Sequence, residues 1–217
     1  MQYGYFDDAR REYVITTPLT PLPWINYLGA DEFCGLISNT AGGYCFYKDP
    51  LLQRITRYRY FNVPLDAGGR YLYIRDNDTQ DYWSASWQPV QKPLDAYQYE
   101  CRHGLGYTRI TSEYAQIKSS TLYLVPKNEN NEVWVCTLTN RSDRVRKLSV
   151  FSLVEFCGFQ GLGDMTNFQA NLNTNQANVE DDVIYNVSLY NHVHDPSVRF
   201  LNNVFSFFFC NRAIAGY

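Results

Sequence analysis

Few side chains in this sequence combine the types and spacing that chemistry requires. HVHD at 192–195 places His192 and His194 on one face of an extended segment with Asp195 beside them, two imidazoles that could share a metal. A zinc site needs at least a third protein ligand, and the chain has three histidines in all, so an ordinary polar strand end or loop is the better reading and no metal is expected. DNDTQD at 76–81 opens like a calcium loop but lacks the glycine and terminal glutamate at their required positions, which leaves a hairpin turn. CRHGLGYTR around His103 offers an imidazole and two glycines, yet no strand-then-helix context follows Gly104 and Gly106, so a structural turn is expected there. Asp7 and Asp8 are adjacent on a nominal strand and point apart, whereas paired acid–base work needs two carboxylates in defined opposition. From residue types and spacing alone, no catalytic site assembles.

The densest cluster of charge is QRITRYRY at 53–60. Read as a strand, it puts Ile55, Arg57 and Arg59 on one face and Thr56, Tyr58 and Tyr60 on the other, a charged surface backed by an aromatic floor. These arginines act locally, because a formal net charge of -3 supplies no basic field for a phosphate backbone, and nucleic acid is excluded as a partner. No apolar run approaches the length of a membrane span, and the first residues lack the apolar region of a signal peptide. Six cysteines without a C-x-x-C pair, four of them inside apolar runs, fit buried free thiols in a reducing, cytoplasmic setting.

The elements that must position these groups read as strands. Aromatic residues make up 17% of the chain, a composition that suits pleated, half-buried surfaces. YLYIR at 71–75, a polar turn, and DYWSASWQP at 81–89 with Trp83, Ala85 and Trp87 on one face form one expected hairpin. QIKSSTLYLVP, the loop KNENNE and VWVCTLTN form a second. LSVFSLVEF at 148–156 is apolar on both faces and is expected inside a sheet. Paired glycines in NTAGGY and DAGGRY mark tight turns where φ goes positive. Residues 157–176 carry neither strand nor helix period and read as a long functional loop, after which DVIYNVSLY and NNVFSFFFC resume strand character. No helix and no repeat is expected. The fold class is all-β, a large antiparallel sandwich of two sheets. The apolar final strand, a poor sheet edge, gives the expectation that the sandwich continues beyond residue 217.

Five segments carry a family resemblance: YGYFDDARREYVITTPLTPLPWINYLG, LISNTAGGYCFYKD, RITRYRYFNVPLDAGGRYLYIRD, ECRHGLGYT and DMTNFQANL. In order and in wording they resemble the N-terminal region of cellobiose phosphorylases, the inverting disaccharide phosphorylases of glycoside hydrolase family 94, from residue 1 to about residue 190. The resemblance implies an N-terminal β-sandwich, called a supersandwich, followed in the family by a helical linker, an (α/α)6 barrel and a small C-terminal domain. Residues 1–217 would then be an incomplete first domain.

The activity implied is cleavage of a β-linked disaccharide by phosphate to a sugar 1-phosphate and a free sugar. One carboxylic acid protonates the leaving oxygen, inorganic phosphate is a co-substrate, and no cofactor is used. The catalytic aspartate belongs to the barrel, so this chain alone is expected inactive. Within it, the segment matching 164–171 is implied to reach the sugar-acceptor end of the active site, which makes Gln169 and Asn167 the candidate substrate-binding residues. The family arginine next to the glutamine is replaced by Ala170, and DYWSASWQPVQKPLD looks closer to chitobiose or laminaribiose phosphorylases than to strict cellobiose enzymes. A homodimer is implied, with Arg57 and Arg59 in interface or buried carboxylate pairs. The alternative function is a free-standing carbohydrate-binding or assembly module derived from the same sandwich, its exposed aromatics stacking on sugar rings.

Overall fold

The computed structural model describes residues 2–59, 68–159, 161–166, 175–190 and 202–216. Strand β11 (Ile117–Leu124) shows how the sequence builds it: Ile117, Ser119, Thr121 and Tyr123 are buried while their neighbours are partly exposed, a strict period of two. It sits in a six-stranded antiparallel sheet ordered β1 (Gly4–Asp7), β2 (Glu12–Ile15), β9 (Gln98–Gly104), β10 (Tyr107–Tyr114), β11 and β12 (Val133–Asn140). A five-stranded sheet runs β14 (Phe156–Phe159), β6 (Arg54–Thr56), β5 (Gly43–Tyr47), β4 (Phe33–Ser38), β3 (Ile25–Leu28). Two three-stranded sheets complete the fold, β13 (Leu148–Val154), β7 (Arg70–Asp76), β8 (Tyr82–Ser84), and β15 (Asn175–Glu180), β16 (Val183–Tyr190), β17 (Asn202–Phe209).

The core has two parts. Ile15, Cys101, Ile110 and Tyr123 of the six-stranded sheet pack on Leu28, Phe33, Ile37 and Cys45 of the five-stranded sheet. Farther along, Ile117 packs with Leu72, Ile74, Trp83, Ala85 and Trp87. One large sheet therefore backs onto two smaller ones, the two-layer sandwich that the sequence pattern implies. The three residues placed on one face of the first hairpin, Trp83, Ala85 and Trp87, are all buried together. Both expected hairpins form, β7 with β8 and β11 with β12.

Several details differ from the sequence reading. The 148–156 segment is not interior: among the described residues β13 pairs with β7 alone, and Val150 and Phe151, on opposite faces, are 48% and 51% exposed. Residues 157–176 are not one bare loop, because they hold β14, a six-residue helix α1 (Gly161–Thr166) and the start of β15. Gly43 does take the expected positive φ of 107°, but Gly68 and Gly69 do not. Gly68 is instead required by close approach, its absent Cβ falling 3.1 Å from the Gly43 nitrogen. All six cysteines are free, and burial pushes the Cys45 thiol up to about 12, so it packs as a small hydrophobe. β17 is a sheet edge with Phe205, Phe207 and Phe209 exposed on one face. Among the described residues no helix is long and apolar enough to cross a membrane.

Candidate functional site

In chain order β14 is followed by α1 and then by β15. Asn167 and Gln169 lie outside the described residues, as do Ala170, His192, His194 and Asp195. What the structure places are the residues on either side of 167–174.

The first anchor grows from the arginine-rich stretch. Arg54, on β6, is buried with its guanidinium 3.9 Å above the Tyr44 ring, and its Nε donates to the Pro50 carbonyl at 3.1 Å. Gly161 lies so close beneath it that a Cβ would fall 2.6 Å from Arg54 Cζ, and the Gly161 nitrogen donates to the Leu51 carbonyl at 2.6 Å. Just beyond β6, Arg57 Nε donates to Asp164 Oδ1 at 2.9 Å and to Oδ2 at 3.2 Å. The Asp164 side chain is wholly inaccessible, and Arg57 also lies 3.8 Å from Glu155 Oε2. The carboxylate pair implied for Arg57 is thus intramolecular and reaches α1.

Backbone bonds hold Arg57 still. Its nitrogen donates to the Glu155 carbonyl at 2.9 Å, the Glu155 nitrogen to the Gly69 carbonyl at 2.8 Å, and the Gly69 nitrogen to the Arg57 carbonyl at 3.0 Å. A Cβ at Gly69 would sit 2.9 Å from both the Arg57 and Glu155 carbonyl oxygens. Gly69→Ala is therefore expected to lower stability by about 1–3 kcal/mol through overpacking. A urea melt measures it, and an unchanged midpoint would show that this three-way backbone knot relaxes freely.

The second anchor is at the return. Asn175 Nδ2 donates to the Cys157 carbonyl at 3.2 Å, and its Oδ1 accepts from Asn186 Nδ2 at 3.4 Å. Gly158, with φ of 68°, lets β14 approach β16, since a Cβ there would meet Ser188 Cβ at 2.5 Å. Asp164 is thus fixed by an ion pair and Asn175 by an amide network. Asp164 cannot serve as an acid, because it is sealed from any substrate and occupied by Arg57.

The remaining candidates are structural. Asp7 Oδ2 accepts from Arg102, which also binds Glu12 at 2.8 Å and Glu100 at 2.6 Å, tying β1, β2 and β9 together. Residues 76–81 form the hairpin turn, with Asp76 Oδ1 accepting from the Asp78 nitrogen at 2.9 Å. Among the described residues no group of three or more His, Cys, Asp or Glu could hold a metal ion.

His103 lies on β9 at the expected turn, with Nε2 3.0 Å from the Trp24 carbonyl and Nδ1 2.9 Å from Thr108 Oγ1. A carbonyl only accepts, so Nε2 carries the proton and Nδ1 accepts from the threonine. Burial holds the His103 imidazole below its ordinary value, outweighing the bond to Trp24, which acts the other way. A depressed folded value means the neutral ring contributes stability that is complete above about 6.5, the unfolded value, and declines as pH falls below it. The denaturation midpoint should drop between pH 7 and 5, and His103→Gln should flatten that slope. Equal slopes in the two proteins would contradict this.

Comparison with known proteins adds the family. The family model Glycosyl hydrolase 94, supersandwich domain, matches residues 11–217. An N,N'-diacetylchitobiose phosphorylase of Vibrio proteolyticus is 49% identical over 172 residues, 79% of this chain and 21% of the relative. The N,N'-diacetylchitobiose phosphorylase of Vibrio furnissii is 45% identical over 191 residues, 86% of this chain and 24% of the relative. A 3-O-beta-D-glucopyranosyl-beta-D-glucuronide phosphorylase of Paenibacillus borealis is 41% identical over 150 residues, 69% of this chain and 18% of the relative. The chain spans roughly a fifth to a quarter of the length of these relatives. With the antiparallel sandwich and the match over nearly its whole length, the chain belongs to the glycoside hydrolase 94 supersandwich family.

Proposed function

We propose that this chain is the N-terminal sandwich of an inverting glycoside phosphorylase and that it presents residues 167–174 to the sugar acceptor, with Gln169 and Asn167 as the contacting side chains. The observation that supports this best is that the described residues on either side, Asp164 and Asn175, are each fixed to the sandwich, since a binding segment must be held in one geometry by the scaffold beneath it. The reaction is attack of a phosphate oxygen on the anomeric carbon, breakage of the glycosidic C–O bond with inversion, and proton transfer from a carboxylic acid to the departing oxygen. The acid and the phosphate site come from a part of the protein outside residues 1–217, and no cofactor takes part. The working assembly is a cytoplasmic homodimer.

The disaccharide is N,N'-diacetylchitobiose. The two diacetylchitobiose phosphorylases among the relatives support this choice. Ala170 supports it too, because replacing a long cation by a methyl group changes what the acceptor meets at that position. The test is synthesis from sugar 1-phosphate and free sugar by a protein that carries this chain. Gln169→Ala should raise KM for the free sugar while leaving KM for the sugar 1-phosphate unchanged, and N-acetylglucosamine should be preferred to glucose as acceptor. Equal effects on both substrates, or a preference for glucose, would overturn the reading.

A further inference from the structure

The β15–β16–β17 sheet has its polarity reversed. In an antiparallel sheet with one solvated face, apolar side chains ordinarily point to the core and polar ones to water. Here the register puts Asn186, Ser188 and Ser206 on the inner face, all buried, beside Phe208, whose ring lies 5.4 Å from that of Trp134. The outer face carries Phe205, Phe207 and Phe209, exposed by 70%, 62% and 60%, with Val183, Tyr185 and Val187 next to them on β16. At about 150–250 Å² for each fully covered aromatic ring, the three phenylalanines and Tyr185 leave roughly 350–600 Å² of apolar surface in water, the size of the largest patch on an ordinary monomer. Within the three strands, the only charged side chain that the register assigns to this face is Glu180, at its corner on β15. The surface that covers such a face is apolar and not ionic.

Position selects the occupant. β15 begins at Asn175, six residues after Gln169. From strand spacing and rise, Phe205 and Phe207 lie roughly 10 and 14 Å from Asn175. A general acid must come within hydrogen-bond reach of the oxygen that joins the acceptor sugar to its neighbour, so the part of the protein that carries it approaches on the acceptor side. Other exposed aromatic side chains, Phe151 on β13, Tyr82 on β8 and Tyr27 on β3, belong to sheets that do not hold Asn175. In the relatives, three-quarters or more of the polypeptide lies outside the stretch that this chain matches, ample to supply a covering surface.

We propose that the Phe205, Phe207 and Phe209 face is the seat of the acid-bearing part of the same polypeptide, which meets it with an apolar, uncharged surface and so brings the acid to the sugar held by Gln169 and Asn167. This rests on the acceptor reading above and adds the surface through which the two halves of the site are joined.

The test is maleimide labelling of Phe207→Cys, with Cys34 and Cys210 replaced by serine and the rate of that background subtracted, in residues 1–217 and in a protein that carries this chain together with the acid. The introduced thiol should react freely in residues 1–217 and at least about tenfold more slowly in the larger protein. There, Phe207→Ser should cut kcat for synthesis about tenfold by shifting the acid, and Phe207→Leu should restore most of it. Equal labelling rates would show the face open and overturn the proposal. Slow labelling of residues 1–217 that quickens on dilution would make a second copy the occupant and overturn it equally, as would protection in the larger protein with kcat unchanged in Phe207→Ser. Gln169→Ala reads the acceptor assignment separately: an unchanged acceptor KM overturns that assignment, whereas an open face with Gln169→Ala still raising KM overturns the docking alone.

Discussion

Glu132→Ala is expected to destabilise the chain by about 3–5 kcal/mol, the largest effect of any single change discussed. Glu132 Oε1 accepts from Arg70 Nη1 at 2.6 Å and from Trp134 Nε1 at 2.7 Å, and Arg70 Nη2 reaches the Leu36 carbonyl at 2.9 Å. The pair is 1% and 6% exposed. Its atoms belong to the starts of β7 and β12 and to β4, so one buried ion pair joins three sheets. Alanine leaves Arg70 Nη1 and the Trp134 indole N–H without their acceptor and the buried guanidinium without its counter-charge, where breaking a pair costs far more than forming it gains. Glu132→Gln keeps an acceptor oxygen and should recover part of the loss. Thermal unfolding measures both, with a fall of about 10 °C or more for alanine, and a drop under about 1 kcal/mol would show that water enters and solvates Arg70.

Arg57→Ala is the second large effect, and it divides between stability and function. It removes the guanidinium paired with the Asp164 carboxylate, which is 0% exposed, at a cost of about 3 kcal/mol. The chain can avoid that cost by undocking α1, a helix too short to stand without tertiary support. Amide exchange in residues 161–166 should therefore quicken more than exchange in β9–β11. The double substitution Arg57→Met with Asp164→Leu removes both charges and should restore most of the stability. Unchanged exchange in α1 alongside global destabilisation would mean that the ion pair holds the sandwich and not the helix.

The sequence shows most of the sandwich and little of what fixes α1 and β15. β11 alternates without exception, and Trp83, Ala85 and Trp87 share a face, because burial on one side of a sheet imposes a period of two. LSVFSLVEF misleads for a physical reason: apolar residues on both faces state that a strand is to be covered, not which neighbour covers it. α1 is invisible, since GLGDMT has two glycines in six residues and is held by Arg57 and Arg54 across the fold. β15, NQANVE, is mostly polar and exposed and exists through its pairing with β16. Asp164 is 107 residues from Arg57, a separation no local pattern encodes, and the carboxylate pairing of Arg57 came from the family resemblance. Asn167 and Gln169 are candidates through family resemblance and through no spacing rule, and both lie outside the described residues.

The central claim, a proposal, is that the Arg57–Asp164 pair sets how the chain following α1 meets the acceptor. Steady-state kinetics in the synthetic direction, with Arg57→Ala set beside Gln169→Ala in a protein carrying this chain, test it most directly. If the claim holds, Arg57→Ala raises KM for the free sugar as Gln169→Ala does, leaves KM for the sugar 1-phosphate unchanged, and adds little to Gln169→Ala in the double variant. An Arg57→Ala protein that loses stability yet keeps its acceptor KM would contradict it.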